Sequence, residues 1–272
     1  MILFLLVFFL FIGIVLNHLY LWKPRNTASF YNGNNPLWFA HRGASNTAPE
    51  NTISAFNKAV KNGAPGLEID IISTFDRVLL CSHNFDLERE TDCDGYIDEL
   101  PYHRIKGANA ALYWNTKKES LPKLEDVLRT VPKHVILNIE IKSRSFYDIS
   151  AARDVVELVK GKNFINRTII SSFNPLVIWY VKWINSQVLT GFLYNNLDYF
   201  FMINVVHPDC LHPTAELVSK GLVKFAKQRG LALNVWTVNT KPAIDWLIDL
   251  KVDGIITAVS YTHLTLPTNR EV

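Results

Sequence analysis

The side chains in this sequence that could do chemistry lie at the ends of short apolar segments that are predicted to be β-strands. Five such segments carry polar or ionisable residues at or near their carboxyl ends. These residues are His41, Arg42, Glu68, Asp70, His83, Glu140, Lys142, Trp236 and Asn239. In an α/β barrel the carboxyl ends of the strands form the face on which active sites are built. We therefore expect these side chains to meet at one end of the fold.

Three acidic residues of this set form a candidate metal site. Glu68 and Asp70 are two positions apart in an otherwise apolar segment, so the two-residue period of a strand puts both carboxylates on one face. Two such carboxylates repel each other unless a cation lies between them. With Glu140 they offer three oxygen donors, the ligand type that Mg²⁺ and Ca²⁺ prefer. The alternative is a buried ion network in which the acids pair with Arg42 and Lys142.

His41 and His83 are the candidate pair for proton transfer. The unperturbed pKa of histidine is about 6.5, so an imidazole can accept or donate a proton near neutral pH. A single histidine at a strand end is more often structural, but two beside three carboxylates favour catalysis. Arg42 and Lys142 could hold phosphoryl oxygens and offset negative charge that develops in a transition state.

The elements that position these residues alternate between strand and helix along the chain. The predicted strands are residues 37–40, 66–72, 78–82, 135–141, 168–172, 188–193, 204–207, 232–237 and 254–257. The predicted helices are residues 49–62, 124–130, 149–160, 175–184, 215–229 and 242–250. Such alternation implies parallel strands joined by crossover helices.

The fold class that follows is a TIM-like (β/α)8 barrel of the α/β class. About eight strands in 272 residues fit a closed barrel better than an open doubly wound sheet. Neither a GxGxxG nor a Walker A sequence supports a nucleotide-binding fold. Residues 84–120 show no clear period and are predicted to form a small insertion after the third strand.

An ordered series of short motifs resembles the glycerophosphodiester phosphodiesterase family. The resemblance covers residues 37–257, and the ordered series is far more specific than any one motif. The motifs are His41-Arg42-Gly43, Pro49-Glu50-Asn51-Thr52, Ala55-Phe56, Gly63, Glu68-x-Asp70, His83, Glu140-x-Lys142, Trp236-Thr237-Val238-Asn239 and Asp253-Gly254-Ile255-Ile256-Thr257.

The resemblance implies a TIM barrel with a small insertion and a role for each candidate residue. By analogy, two histidines act as general acid and base, three carboxylates bind one divalent cation, two basic side chains contact the phosphate, and a tryptophan packs against the alcohol portion of the substrate. In that order the residues are His41 and His83; Glu68, Asp70 and Glu140; Arg42 and Lys142; and Trp236.

The function implied is hydrolysis of glycerophosphodiesters to glycerol 3-phosphate and an alcohol. Membrane-anchored relatives include lysophospholipase D enzymes, which release lysophosphatidic acid. The substrate class expected here is therefore a small-molecule or lipid phosphodiester, and the cofactor is one Mg²⁺ or Ca²⁺ ion. A different class of function, a catalytically inactive barrel that binds lipid headgroups or a partner protein, is the alternative.

Two positions depart from the family pattern. Asn84 follows His83 where the family usually has Asp, which predicts altered tuning of the histidine rather than loss of activity. Ala258 follows the final Ile-Thr, and residues 258–272 form a Thr- and Leu-containing tail without helical period. We interpret that tail as non-native sequence; a divergent native tail is the alternative.

The first 22 residues predict a membrane anchor. An unbroken apolar run from residue 2 to residue 16 is extended by residues 19–22, which is just long enough to cross a bilayer. A signal peptide is the alternative, but a basic n-region and a small-x-small cleavage site are absent. Lys23 and Arg25 on the carboxyl flank favour a cytoplasmic catalytic domain. Residues 23–36 are predicted to be a polar linker.

Composition excludes several other classes of protein. A net charge of +3 and the lack of a Lys/Arg-rich run give no basis for nucleic-acid binding. Three widely separated cysteines without a CxxC motif predict neither a disulfide framework nor a structural zinc site. The sequence indicates no particular oligomeric state.

Overall fold

A computed structural model describes residues 2–31 and 36–258. Within these residues nine strands form one sheet. They are β1 (Leu37–Ala40), β2 (Gly66–Ser73), β3 (Leu79–Cys81), β4 (Ile136–Ile141), β5 (Thr168–Ser172), β6 (Leu189–Tyr194), β7 (Cys210–Pro213), β8 (Ala232–Val235) and β9 (Gly254–Thr257). Residues 259–272, most of the predicted tail, lie outside the described residues.

Eight of the strands are parallel and close into a barrel, which confirms the predicted fold class. The order round the barrel is β1, β2, β4, β5, β6, β7, β8 and β9, and β9 pairs with β1 to close it. Crossover helices pack on the outside of the strands. The helices of the described residues are α1 (Ile2–Leu16), α2 (Ala28–Tyr31), α3 (Ile53–Lys61), α4 (Tyr102–Ile105), α5 (Leu124–Thr130), α6 (Ser150–Gly161), α7 (Pro175–Ile184), α8 (Ile203–Val206), α9 (Lys220–Arg229) and α10 (Lys241–Leu250).

The third strand is not a barrel strand. β3 pairs antiparallel with the end of β2, with Ile71 opposite Cys81 and Ser73 opposite Leu79. The connection between the two strands is too short for a crossover helix, so the chain turns back as a hairpin. His83 is therefore carried back to the barrel mouth, and the amide of Ser82 donates to the carbonyl of Asp70 at 3.2 Å.

The predicted strand at residues 204–207 is wrong. That segment forms α8, and the barrel strand is β7, a few residues further on. A short apolar run does not reveal its period; in the structure Ile203 and Val206 are buried whereas Val205 is exposed, a helical spacing. His207, with φ of 50°, ends this helix.

Two of the predicted helices, α3 and α9, begin later than expected. The first starts at Ile53, because the Thr52 side chain caps it by accepting a hydrogen bond from Ala55 N–H. The second starts at Lys220, where the Ser219 side chain accepts from Leu222 N–H in the same way.

Residues 25–31 of the predicted linker pack against the barrel. α2 buries Phe30 and Tyr31 beside residues at the amino ends of the strands. The Tyr31 hydroxyl donates to Asn234 Oδ1 at 2.9 Å, and the Arg25 amide donates to Asp209 Oδ1 at 2.9 Å. This segment therefore covers the floor of the barrel, opposite the mouth.

An apolar amino-terminal helix precedes the barrel, as predicted. α1 continues through a π-helical turn, Asn17–Leu21, so that the span Phe4–Leu21 has 18 residues and a mean hydropathy of 2.4. None of this span is buried within the protein. Its length and composition suit a bilayer, and a signal sequence at the same position would share both properties.

The insertion after β3 has a small core of its own. It consists of turns and α4, and it packs on the face of β2 that also carries Glu68 and Asp70, through Ile72, and on Leu80 of β3. The core residues are Ile72, Leu80, Leu87, Ile97, Ile105, Ala108 and Leu121. Glu119 ties the insertion to α3 by accepting a hydrogen bond from the Ser54 hydroxyl at 2.6 Å.

Candidate active site

A tight turn after β1 brings the first two site residues to the barrel mouth. Arg42 and Gly43 have φ values of 54° and 79°, so both residues adopt the left-handed conformation. A Cβ on Gly43 would lie 2.7 Å from the carbonyl carbon of Ala55, which leaves room only for glycine. The turn directs the Arg42 amide at Glu68 Oε2, to which it donates at 2.8 Å.

The three acidic residues converge as their positions in the sequence predict. Glu68 and Asp70 point to the same side of β2, and Glu140 lies opposite Asp70 on β4. All three side chains are buried, and one oxygen from each lies within 4.8 Å of the others. Hard oxygen donors grouped in this way fit a single Mg²⁺ or Ca²⁺ ion.

The protonation of these acids also indicates that the cluster needs positive charge. Burial, reinforced by Asp70, raises the pKa of Glu68 well above its ordinary value. Burial likewise raises the pKa of Glu140, to about 7. Burial alone would raise the pKa of Asp70 too, but Lys142 and Arg42 beside it hold that pKa below its usual value. In this site Asp70 is thus ionised, whereas Glu68 and Glu140 hold a proton more readily than an exposed glutamate does until a cation binds.

Both basic residues are paired with the acids. Arg42 Nη1 lies 2.8 Å from Glu50 Oε1, and its Nε lies 3.2 Å from Asp70 Oδ2, close enough for an ion pair although not aligned as a hydrogen bond. Lys142 Nζ lies 2.8 Å from Glu140 and 3.6 Å from Asp70. The buried ion network that the sequence left as an alternative therefore exists, and its carboxylates outnumber its two cations.

The two histidines lie near this cluster and are neutral. Burial, together with the adjacent Arg42, lowers the pKa of His41 to about 3. Burial also lowers the pKa of His83, even though Asp70 opposes that change. The Nδ1 of His83 lies 3.1 Å from Asn84 Oδ1. The Asn84 amide nitrogen donates to Glu90, so Asn84 presents its oxygen to the histidine and favours protonation at Nδ1.

Asn51 is a site residue for which the sequence suggested no role. It is buried, its Nδ2 donates to Asp70 Oδ2 at 3.0 Å, and its Oδ1 accepts from the Asp70 amide at 3.1 Å. Its φ of 54° is one that asparagine tolerates better than most residues. The only signal for Asn51 in the sequence was its position within the Pro-Glu-Asn-Thr motif.

Trp236 presents an apolar ring to the mouth. Its indole nitrogen donates to the carbonyl of His212 at 2.7 Å, so the ring has no free donor for a ligand. Phe173 packs edge-on against it, with ring centroids 5.4 Å apart. Asn239 has a structural contact instead: its Oδ1 accepts from the amide of Ala258 at 2.9 Å.

A groove of about 480 Å³ adjoins the mouth beside Phe173. Aromatic and apolar side chains dominate its wall, with Ser143, Arg144 and Ser145 on one side. The apolar residues are Phe146, Phe173, Pro175, Tyr199, Phe201 and Met202. The site thus combines a charged centre with an apolar extension.

Glycerophosphodiester phosphodiesterases from bacteria and mammals are similar to this chain in sequence. A glycerophosphodiester phosphodiesterase of Caldanaerobacter subterraneus is 34% identical over 235 residues, which are 85% of this chain and 97% of that protein. The human glycerophosphodiester phosphodiesterase 1 is 30% identical over 179 residues, 62% of this chain and 50% of that protein.

Solved structures of other phosphodiesterases have the same fold as this chain. An Oleispira antarctica phosphodiesterase, determined in complex with the product sn-glycerol-3-phosphate, has a TM-score of 0.77 at 21% identity and covers 86% of this chain and 98% of its own. A glycerophosphodiester phosphodiesterase from Parabacteroides distasonis has a TM-score of 0.73 at 26% identity and covers 85% and 95%. The model of the glycerophosphoryl diester phosphodiesterase family matches residues 41–259, and the chain belongs to that family.

Proposed function

We propose that this chain is a metal-dependent phosphoric diester hydrolase that acts on glycerophosphodiesters or lysophospholipids. The products would be glycerol 3-phosphate or lysophosphatidic acid, together with an alcohol. The observation that carries the proposal is the convergence of three buried carboxylates, two neutral histidines and two cationic side chains at one barrel mouth. The product named for the Oleispira enzyme supports the same substrate class.

Glu68, Asp70 and Glu140 would hold one Mg²⁺ or Ca²⁺ ion. When bound, the ion polarises the phosphoryl group and offsets its charge. Arg42 and Lys142 would bind the non-bridging phosphate oxygens, since both lie beside the carboxylates with their charges retained. Asn51 would keep Asp70 in position.

His41 and His83 would carry the protons of the reaction. One neutral imidazole accepts a proton from the nucleophile, which is water or the substrate's own glycerol hydroxyl, while the new phosphorus–oxygen bond forms. The other histidine, neutral in the free site, would gain a proton as the anionic phosphodiester binds beside it and would donate that proton to the alkoxide as the bond from the alkoxide to phosphorus breaks. Where the glycerol hydroxyl attacks, water then opens the cyclic phosphate. The hydrogen bond from His83 Nδ1 to Asn84 leaves the His83 Nε2 free to accept, which favours His83 as the base.

The lysophospholipid part of the proposal rests on apolar features near the mouth. Trp236 offers a ring face, and Phe173 connects it to the aromatic groove, whose volume could take part of an acyl chain. The apolar amino-terminal helix would keep the enzyme at a membrane, where such lipids are concentrated. We further propose that the helix is an uncleaved anchor and that Lys23 and Arg25 keep the barrel on the cytoplasmic side.

The test is an assay of the full chain on two substrates. Purified protein in detergent is given glycerophosphocholine or lysophosphatidylcholine with Mg²⁺, Ca²⁺ or EDTA, and choline and phosphocholine are both measured. We expect metal-dependent release of choline, which cleavage on the other side of the phosphorus atom would not give. Comparing the two substrates measures the lipid preference.

Two variants and one matched control complete the assay. Glu68→Gln and His41→Ala should each abolish release of choline, whereas His103→Ala, which changes an exposed histidine of the insertion, should leave it intact. A folded protein without turnover on either substrate would contradict the proposal and favour a binding role. Equal turnover in EDTA would contradict the metal dependence.

A further inference from the structure

The outer face of α7 carries two exposed tryptophans. Trp179 and Trp183 are 48% and 69% exposed, and their rings are stacked with centroids 6.2 Å apart and planes within 3°. They lie four residues apart, on one side of the helix. Lys182, the charged residue of α7, turns away from this face and pairs with the buried Asp209 at 2.8 Å. The two rings form an apolar patch on α7, and Arg153, Glu157 and Lys160 of α6 border it beside Trp183.

The two ends of α7 touch the two apolar features of the protein. At its amino end, Pro175 lines the aromatic groove together with Tyr199 and Phe201. At its carboxyl end, Lys182 hydrogen-bonds to the carbonyl of His207, which contacts the amino-terminal helix. A helix of this length spans about 15 Å. α7 thus lies between the groove and the base of the amino-terminal helix.

The base of the amino-terminal helix is fixed to this side of the barrel. His207 Nε2 lies 2.8 Å from the carbonyl of His18, and its ring stacks on Trp22 at 4.7 Å. The Trp22 indole donates to Asn204 Oδ1 at 3.1 Å, and Arg229 donates to the carbonyl of Tyr20 at 2.7 Å. These contacts restrict how the helix leaves the barrel.

We propose that the side of the barrel formed by α7 and the aromatic loop at residues 199–201 rests on the lipid bilayer. This inference rests on the proposed function, in which the amino-terminal helix stays in the membrane. The occupant is a lipid surface because α7, which carries the two tryptophans, is linked through Lys182 and His207 to the base of an apolar helix of membrane-spanning length. Tryptophan and tyrosine favour the boundary between headgroups and acyl chains.

The consequence for the enzyme is a route for lipid substrates. With α7 against the bilayer, the open groove beside Phe201 faces the headgroup region. A lysophospholipid could then move its acyl chain from the membrane into the groove without crossing water. Its phosphodiester would reach the charged mouth past Phe173 and Trp236. A water-soluble glycerophosphodiester would gain nothing from this arrangement.

Fluorescence quenching tests the contact without depending on activity. The full chain is reconstituted into phosphatidylcholine bilayers with brominated acyl chains, and tryptophan emission is compared with that in unbrominated bilayers. Trp179→Ser/Trp183→Ser should remove a large part of the quenched emission. Trp246→Ser is the matched control, because Trp246 is 42% exposed on α10, three strands round the barrel. That variant should leave the quenched emission unchanged.

Equal quenching in the double variant and the unaltered chain would overturn the proposal, as would intact-mass analysis showing a chain without its amino-terminal helix. Turnover gives a second readout. The double variant should raise KM for lysophosphatidylcholine in bilayers severalfold and leave kcat/KM for soluble glycerophosphocholine unchanged. An equal loss on both substrates would indicate a folding defect and count against the proposal. If lysophospholipids are not substrates, the quenching result still decides the membrane contact.

Discussion

Asp70 takes part in four contacts at once, and they set the chemistry of the metal cluster. Asn51 bonds to both its carboxylate and its amide, and Arg42 and Lys142 approach it at 3.2 and 3.6 Å. Because Lys142 and Arg42 stabilise the charged form, Asp70 keeps its charge, whereas burial makes the two glutamates of the cluster easier to protonate. A site with one carboxylate that is already charged, and two glutamates that lose their protons when a cation binds, suits a metal ion.

Asn51→Ala should weaken metal binding and activity together. Groups that orient a metal ligand typically contribute 10–100-fold to metal affinity or activity, and Asn51 orients Asp70 through two hydrogen bonds. We expect a loss of that size in Mg²⁺ or Ca²⁺ affinity, measured by calorimetry. Asn195→Ala, at an exposed position, is the control. Unchanged affinity in Asn51→Ala would show that Asp70 does not depend on this contact.

Asn84→Asp should change the pH dependence of the reaction. Burial lowers the pKa of His83, and a carboxylate at position 84 would favour the imidazolium and raise that pKa. If His83 is the base, the acidic limb of kcat/KM then moves to higher pH, because the neutral form is reached later. Asn84→Ala removes the hydrogen bond without adding charge and should not raise the limb. A profile identical in all three proteins would assign the base role elsewhere.

The site residues that the sequence predicts are those whose positions obey a local rule. Glu68 and Asp70 share a face because strands have a two-residue period, and the histidines follow strand ends. Asn51 and Glu90 contact the site through long-range folding, from a left-handed turn and from the insertion. No local period reports such contacts, so sequence reasoning missed their roles.

At the scale of elements, the turn after β1 depends on one glycine. Gly43→Ala would put a side chain on a residue with φ of 79° and within 2.7 Å of Ala55. We expect a loss of about 1–3 kcal/mol in the free energy of unfolding and a larger loss of activity, since the turn carries His41 and Arg42. Urea denaturation and choline release measure the two effects.

Gly107→Ala is the matched control for that turn, because a Cβ there would meet nothing within 4 Å. It should change neither stability nor activity. Equal stability of both variants would show that the turn relaxes without cost.

The sequence predicts the bounds of helices and strands best where the length of a segment or its capping residues allow only one kind of element. Five predicted ranges coincide with elements of the structure, namely β1, α5, β5, α7 and β9. The short apolar segment at 204–207 fits either period, and only its packing on neighbouring helices selects a helix. The antiparallel direction of β3 could not be predicted from the local sequence pattern either. It is decided by the tertiary pairing of β3 with β2.

At the scale of the whole molecule, the acidic cluster makes stability depend on pH and metal. Burial raises the pKa of Glu140 from 4.5 to about 7 in the folded protein. The folded state therefore binds more protons than the unfolded chain between these values, and stability falls as pH rises through that window. Glu68 acts in the same direction, whereas the lowered pKa of Asp70 acts in the opposite direction, at more acidic pH.

Without metal, Glu140 should make the free energy of unfolding about 1–3 kcal/mol lower at pH 8 than at pH 5.5, measured relative to Glu140→Gln. The buried histidines His41 and His83, whose pKa values are lowered, act in the opposite direction and are the same in both proteins. Mg²⁺ or Ca²⁺ should restore more stability at pH 8, because ligands must lose their protons to bind. Chemical denaturation in EDTA and in excess metal at both pH values measures this. Glu140→Gln in EDTA should lose the part of the pH dependence that falls between pH 5.5 and pH 8. A metal effect independent of pH would mean that the cation binds elsewhere.

The floor of the barrel comes from the same stretch of chain that leads to the apolar helix. Phe30 and Tyr31 fill the barrel end from below, and Tyr31 is bonded to Asn234 deep inside. A protease that released the enzyme from its helix would therefore have to cut in the few residues before α2. A cut beyond Tyr31 would remove the plug and open the barrel interior to water. The position of a cut that releases an intact barrel and the position of a cut that opens its floor therefore differ by less than ten residues.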